Sequence, residues 1–67
     1  MSDPQTTIKF FDGESKEDAW VIVRQCVDGT IGLCTFLRSH GEVEVFLDRK
    51  SAEKVRQALE DTLDSML

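Results

Sequence analysis

Residues Trp20 to Asp48 have the sequence WVIVRQCVDGTIGLCTFLRSHGEVEVFLD. The segment contains three runs rich in β-branched, aromatic and other apolar residues. They are separated by Asp28-Gly29, a dipeptide suited to a type I′ turn, and by His40-Gly41, a second candidate turn. The third run starts with strict alternation of acidic and apolar residues. The pattern predicts an antiparallel three-stranded β-meander.

The hydrophobic period changes from two to about three and a half after Asp48. Apolar side chains then recur at steps of three or four residues, which aligns them on one face of a helix: Ala52, Val55, Leu59, Leu63 and Met66. Asp48 or Ser51 can supply the N-cap oxygen. We predict a helix that extends to about Ser65.

The segment before the meander has two interpretations. Thr6 to Phe11 is rich in β-branched and aromatic residues and is followed by Asp12-Gly13, so it is either a further strand or an arm that folds over the core. Residues 1–5 are polar, contain the one proline and are expected to be disordered. We therefore predict a single α+β domain, 1–67, with an antiparallel β-meander of three to four strands and one C-terminal helix packed on one face.

The turns also predict a strand register. With Asp28-Gly29 as a two-residue turn, Val23 pairs with Cys34, and His40-Gly41 as the second turn pairs Phe36 with Val45. Directly paired residues share a face of the sheet. The expected seat of the helix then carries Val21, Val23, Val27, Cys34, Phe36, Val43, Val45 and Leu47.

In this register the reverse face is also apolar, although the one helix cannot cover it. An antiparallel sheet with a solvated side should carry polar residues there. The large apolar residues of this face are Trp20, Ile22, Leu33, Leu37 and Phe46, and we predict that they form the interface of a homodimer. The alternative is that Ile8, Phe10 and Phe11 cover the face within a monomer.

Size and charge favour association with another protein. A chain of 67 residues has a small core, and two cysteines with one histidine are too few for the usual four-ligand zinc site. The net charge of −5 opposes binding to a phosphate backbone, so nucleic acid is not an expected partner. The longest purely apolar run, residues 19–23, is too short for a membrane span. Without a secretory signal, we expect a cytoplasmic protein.

Few residues suggest chemistry. Cys26 and Cys34 fall on opposite faces in the predicted register, so we expect reduced thiols that serve as small core residues. His40 lies in a predicted turn and is expected to be solvated. Neither a nucleophile motif nor a glycine-rich phosphate loop is present. We therefore predict no catalytic site, no metal site and no cofactor.

The charges of the predicted helix oppose its dipole. Its first half carries Arg49, Lys50 and Lys54, and its last turns carry acidic residues. An antiparallel neighbouring helix in a dimer would compensate both ends. Alternatively, the basic start could hold an anion.

Three functions are compatible with these features. The first is a small acidic cytosolic interaction or regulatory protein that forms a homodimer. The second is an acidic inhibitor, of the immunity-protein type, that blocks a basic site on an enzyme or nucleic-acid-binding protein. The third and weaker is an anion or nucleic-acid binder that uses Arg49, Lys50 and Lys54.

Overall fold

The computed structural model describes residues 5–66. Four strands form one antiparallel sheet in the order β1-β2-β3-β4. Their bounds are β1 Gln5–Asp12, β2 Glu17–Gln25, β3 Ile31–Leu37 and β4 Gly41–Leu47, and helix α1 spans Arg49–Ser65. The helix follows β4 after one residue and contacts that strand. The predicted α+β class, a β-meander with a C-terminal helix, is confirmed.

The first apolar segment is a strand rather than a covering arm. β1 pairs with β2 along its whole length, from Gln5 opposite Arg24 to Asp12 opposite Glu17. Gln5, which was expected to be disordered, therefore starts the sheet, and the rest of that prediction concerns residues 1–4, outside the described part. Glu17 is the first residue of β2.

The first predicted register is wrong by one residue. Val23 pairs with Leu33 rather than Cys34, because the loop between Cys26 and Thr30 has three residues instead of two. The Gly29 N–H donates to the Cys26 carbonyl oxygen at 3.2 Å, and Gly29 has φ +86°. A tight turn followed by a left-handed glycine is the usual three-residue hairpin loop. As a result, every side chain of β3 lies on the face opposite to the one predicted.

The second predicted register is wrong by three residues. Phe36 pairs with Glu42 rather than Val45, and Leu37 pairs with Gly41. The His40 N–H donates to the Leu37 carbonyl oxygen at 3.1 Å, which places the tight turn earlier than His40-Gly41. Because this shift is also odd, β4 keeps its predicted face relative to β2, and β3 alone is reversed.

The start and end of the helix agree with the sequence. Asp48 is the N-cap residue, and its carboxylate accepts a hydrogen bond from the Ser51 N–H at 2.7 Å. The Ala52 N–H then donates to the Asp48 carbonyl oxygen, which begins the helical ladder. The helix ends at Ser65, the predicted position. The cap fixes the direction in which α1 leaves the sheet.

Four carboxylates stabilise the turns and the helix cap. Hydrogen bonds from Ser15, Ser39, Thr30 and Ser51 lower the pKa of Asp12, Glu17, Asp28 and Asp48, respectively. Carboxylates with depressed folded-state pKa values add stability above the unfolded pKa of about 4, and this stability is lost as the pH falls through the folded values.

We therefore expect the urea midpoint of unfolding to fall as the pH is lowered from about 5 to about 2, measured by circular dichroism. Asp28→Asn keeps a side-chain oxygen that can accept the Thr30 hydrogen bonds but cannot titrate, so its midpoint should change less over the same range. A midpoint that is constant or rises on acidification would contradict the assigned roles of these carboxylates.

Candidate interaction surface

One side of the sheet is mostly apolar, with Thr6, Gln25 and Thr35 among its polar residues. The register brings together aliphatic side chains from all four strands, for example Ile8 opposite Val21 and Leu33 between Val23 and Val45. We call this side the apolar sheet face: Ile8, Phe10, Ala19, Val21, Val23, Ile31, Leu33, Leu37, Val43, Val45 and Leu47. Its outer strands are open to solvent, since Phe10 is 44% exposed and Val43 is 64% exposed. An exposed apolar surface of this kind is a candidate interaction site.

The opposite side, the charged sheet face, is partly screened by its own charged side chains, while Phe11 and Phe46 on it remain 63% and 57% exposed. Long charged side chains lie over its apolar residues. The Lys9 ammonium, for example, lies 5.8 Å from the centre of the Trp20 ring. Trp20 in turn contacts Phe36 edge to face, with ring centres 5.1 Å apart. Such pairs screen the aromatic surface and leave the charges hydrated. This side is therefore mixed, with charged side chains beside partly exposed aromatic rings.

An ion pair crosses the same face between the inner and outer strands. The Arg24 Nε lies 3.0 Å from Glu44 Oε2, and its guanidinium lies 5.8 Å from the centre of the Phe46 ring. Gly32, between them on β3, provides the space, because a Cβ there would lie 3.2 Å from Arg24 Cγ and 3.1 Å from Glu44 Oε2. The short glycine thus lets the ion pair lie flat against the strand.

The helix carries a second exposed apolar surface. Its periodic apolar residues, which we call the helix stripe, are Ala52, Val55, Leu59, Leu63 and Met66. Ala52 is partly covered, but Leu59 and Leu63 are 61% and 62% exposed and Met66 is 75% exposed. No residue of α1 is buried. The stripe is therefore free along most of its length.

The isolated chain has little core. In residues 5–66 the buried apolar side chains are those of Ala19 and Cys34. A compact monomer of 7.6 kDa is expected to expose about 4,300 Å², whereas this chain exposes 5655 Å².

The five residues predicted as an interface do not share a face. Leu33 and Leu37 belong to the apolar sheet face, whereas Trp20, Ile22 and Phe46 lie on the charged sheet face. The one-residue error in the first turn is the cause. An exposed apolar surface is nevertheless present, formed by Ile8, Phe10, Val43 and Val45 around the two leucines.

The predicted anion site at the helix start is occupied by a side chain of the protein itself. The Asp48 carboxylate accepts the Ser51 N–H, the donor that an anion would need. Arg49 turns to Glu53, with 3.3 Å between Nε and Oε1. Arg49, Lys50 and Lys54 thus lie on the first turns of a helix whose Ser51 N–H is capped by Asp48.

The two thiols lie far apart along the sheet. Cys34 pairs with Ile22, and Cys26 follows the end of β2 four residues further on, a distance of about 13 Å along a strand. Both are free, and it is this separation rather than opposite faces that keeps them apart. Burial raises the pKa of the Cys34 thiol, and the nearby Glu42 carboxylate adds to the effect.

We expect iodoacetamide at pH 8 to modify Cys26 at least several-fold faster than Cys34, because the thiolate is the reactive form and Cys34 is both buried and less acidic. Peptide mass mapping after timed quenching measures both rates. In urea the two rates should become equal, and equal rates in the folded protein would contradict the burial of Cys34.

A polar cluster at one end of the sheet was not anticipated from sequence. The Glu17 carboxylate accepts hydrogen bonds from the Ser39 N–H at 2.8 Å and from Ser39 Oγ at 2.7 Å, and Ser39 Oγ lies 2.8 Å from His40 Nδ1. His40 is exposed, as predicted. The cluster ties the β3–β4 turn to the first residue of β2. No sequence motif signalled it, because Glu17 and Ser39 are 22 positions apart.

Comparisons with known proteins identify no relative: no family model matches the chain, and neither a curated protein nor a solved structure is significantly similar to it. Among residues 5–66, no three His, Cys, Asp or Glu side chains converge as a metal site. The described helix is not long and apolar enough to cross a bilayer.

Proposed function

We propose that this chain is a small, non-catalytic interaction protein of the cytoplasm that works as a homodimer. The observation that carries the proposal is the exposed apolar sheet face beside an equally exposed helix stripe, in a chain whose described part buries so little apolar surface. Small domains without disulfides or metals commonly reach stability by oligomerisation. The dimer would thus be the form in which the chain folds and acts.

The charged sheet face would remain on the outside of such a dimer. Its ion pair and cation–π contacts keep it hydrated, so it is the surface available to a further, regulated partner. Two copies of this face, related by the two-fold axis, would present the same charges twice. A regulatory or adaptor role follows more readily from this arrangement than a catalytic one.

Light scattering coupled to size exclusion tests the oligomeric state. At about 50 μM we expect a mass of twice 7.6 kDa and, on dilution, dissociation coupled to loss of structure. A compact, folded 7.6 kDa species at that concentration would overturn the proposal, because it would mean that the chain covers its own apolar surfaces.

A further inference from the structure

We infer that each helix α1 packs across the apolar sheet face of a second copy, in a two-fold dimer in which the helices are exchanged. This inference rests on the proposed homodimer and adds the identity of the contacting surfaces. Each copy has one uncovered sheet face and one uncovered helix stripe. Reciprocal packing of stripe on face covers both surfaces of both copies, as an isologous interface requires.

Other pairings cover only half of the exposed apolar surface. Two sheets packed face to face would leave Leu59, Leu63 and Met66 of each helix in water. Two helices packed on each other would leave Phe10 and Val43 of each sheet in water. Every chain has two complementary surfaces, the apolar sheet face and the helix stripe. The exchanged arrangement is the one that covers both.

The dimensions of the two surfaces agree. The helix has 17 residues and is about 25 Å long. The strands β3 and β4 have seven residues each and are about 23 Å long. Four strands span about 14 Å from β1 to β4, and one helix with its side chains is about 10 Å wide. A single helix therefore matches the length of the strands and covers about half of the width of the apolar sheet face.

The connection from β4 to α1 explains why the helix does not cover the apolar sheet face of its own chain. Asp48 is the one residue between the two elements, and it is held by the Ser51 and Ala52 N–H groups. The helix consequently leaves the sheet at its β4 edge with its stripe exposed beyond Ala52.

Charge gives the direction of the partner helix. The end of the sheet formed by the β1–β2 and β3–β4 turns is acidic, with Asp12, Glu14, Glu17, Asp18 and Glu42 against Lys16 and Arg38. The first half of the helix is basic, with Arg49, Lys50, Lys54 and Arg56 against Glu53.

Within one chain these two charged regions lie at opposite ends of β4, about 23 Å apart and beyond the Debye length of about 8 Å. A two-fold axis that sets the two sheets antiparallel brings each basic helix start to the partner's acidic turns. The exchanged dimer therefore pairs opposite charges that the single chain cannot bring together.

Isotope-filtered NMR tests the contact directly. An equimolar mixture of ¹³C-labelled and unlabelled chains gives dimers in which a filtered NOE experiment detects only contacts between copies. We expect such contacts between the methyl groups of Leu59 or Leu63 and those of Leu33, Val43 or Val45. A dimer whose intermolecular contacts join sheet to sheet or helix to helix only, or whose helix–sheet contacts are all within one chain, would overturn the inference but not the homodimer.

A charge-reversal variant tests the orientation of the helix on the partner's sheet. Lys54→Glu should raise the dissociation constant about two- to fivefold at low salt, because it removes an attraction to the partner's acidic turns. Lys9→Glu, the same charge change on the charged sheet face, should leave the constant unchanged. Equal effects of the two variants would show that the helix start does not meet the acidic turns.

Discussion

Val45→Glu is expected to weaken dimerisation strongly. Val45 lies on the apolar sheet face opposite Leu33 and is 46% exposed in the isolated chain, so a glutamate there is tolerated in a monomer but is buried in the dimer. Burying an aliphatic side chain contributes about 1.5 to 3 kcal/mol, and a buried, unpaired carboxylate costs several kcal/mol more. The two-fold axis applies the loss twice. We expect the dissociation constant, measured by analytical ultracentrifugation, to rise at least about a hundredfold.

Phe46→Glu is the matched control. Phe46 is the next residue of the same edge strand and is similarly exposed, at 57%. It points to the charged sheet face, where the Arg24 guanidinium can donate hydrogen bonds to a carboxylate. The Phe46→Glu substitution should lower the free energy of unfolding slightly and leave the dimer intact. If Phe46→Glu dissociates the dimer and Val45→Glu does not, the interface lies on the charged sheet face, and the assignment of the two faces to solvent and partner must be exchanged.

The sequence contains enough information for the elements but not for the pairing between them. Strand and helix positions follow from the periods of two and three and a half, and from Asp48 as a cap. The register depends on whether Asp28-Gly29 forms a two- or three-residue loop, and both loops accept glycine with positive φ. One residue of difference moved Leu33 and Leu37 to the other face.

A stronger criterion for register was present in the composition of the strands. The odd-numbered residues of β3 are aliphatic apart from Thr35, and the even-numbered ones are Gly32, Cys34 and Phe36. Grouping the aliphatic set with Val21 and Val45 gives one apolar side and one mixed, charged side, the usual pattern of an antiparallel sheet. The predicted register instead placed apolar residues on both faces of the sheet.

How much of its own sheet the helix covers could not be predicted from the sequence, for a different reason. An amphipathic helix after a meander normally packs on the adjacent sheet, and its hydrophobic period is the same whether it covers its own sheet or that of a partner. Asp48 alone joins β4 to α1 and caps the helix. The angle at which a helix leaves a strand is a property of backbone geometry that residue type alone does not specify.

Leu59→Glu should disrupt the dimer as strongly as Val45→Glu, although the two residues lie on different elements. Leu59 is at the middle of the helix stripe and 61% exposed, so the substitution leaves the isolated helix intact but places a carboxylate against the partner's sheet. Gln57→Glu, on the opposite side of the helix, introduces the same charge and should have little effect on the dissociation constant. Ultracentrifugation of the three variants compares them directly.

Combining the substitutions decides whether the two surfaces touch each other. If Leu59 packs on the face that contains Val45, the double variant loses less binding free energy than the sum of the two single losses, because the first glutamate has already removed the contact that the second would break. Surfaces that bind separate partners would give additive losses. Additivity within about 0.5 kcal/mol would therefore contradict the exchanged dimer, while a coupling of about 1 kcal/mol or more is the result expected for helix stripe and apolar sheet face in direct contact.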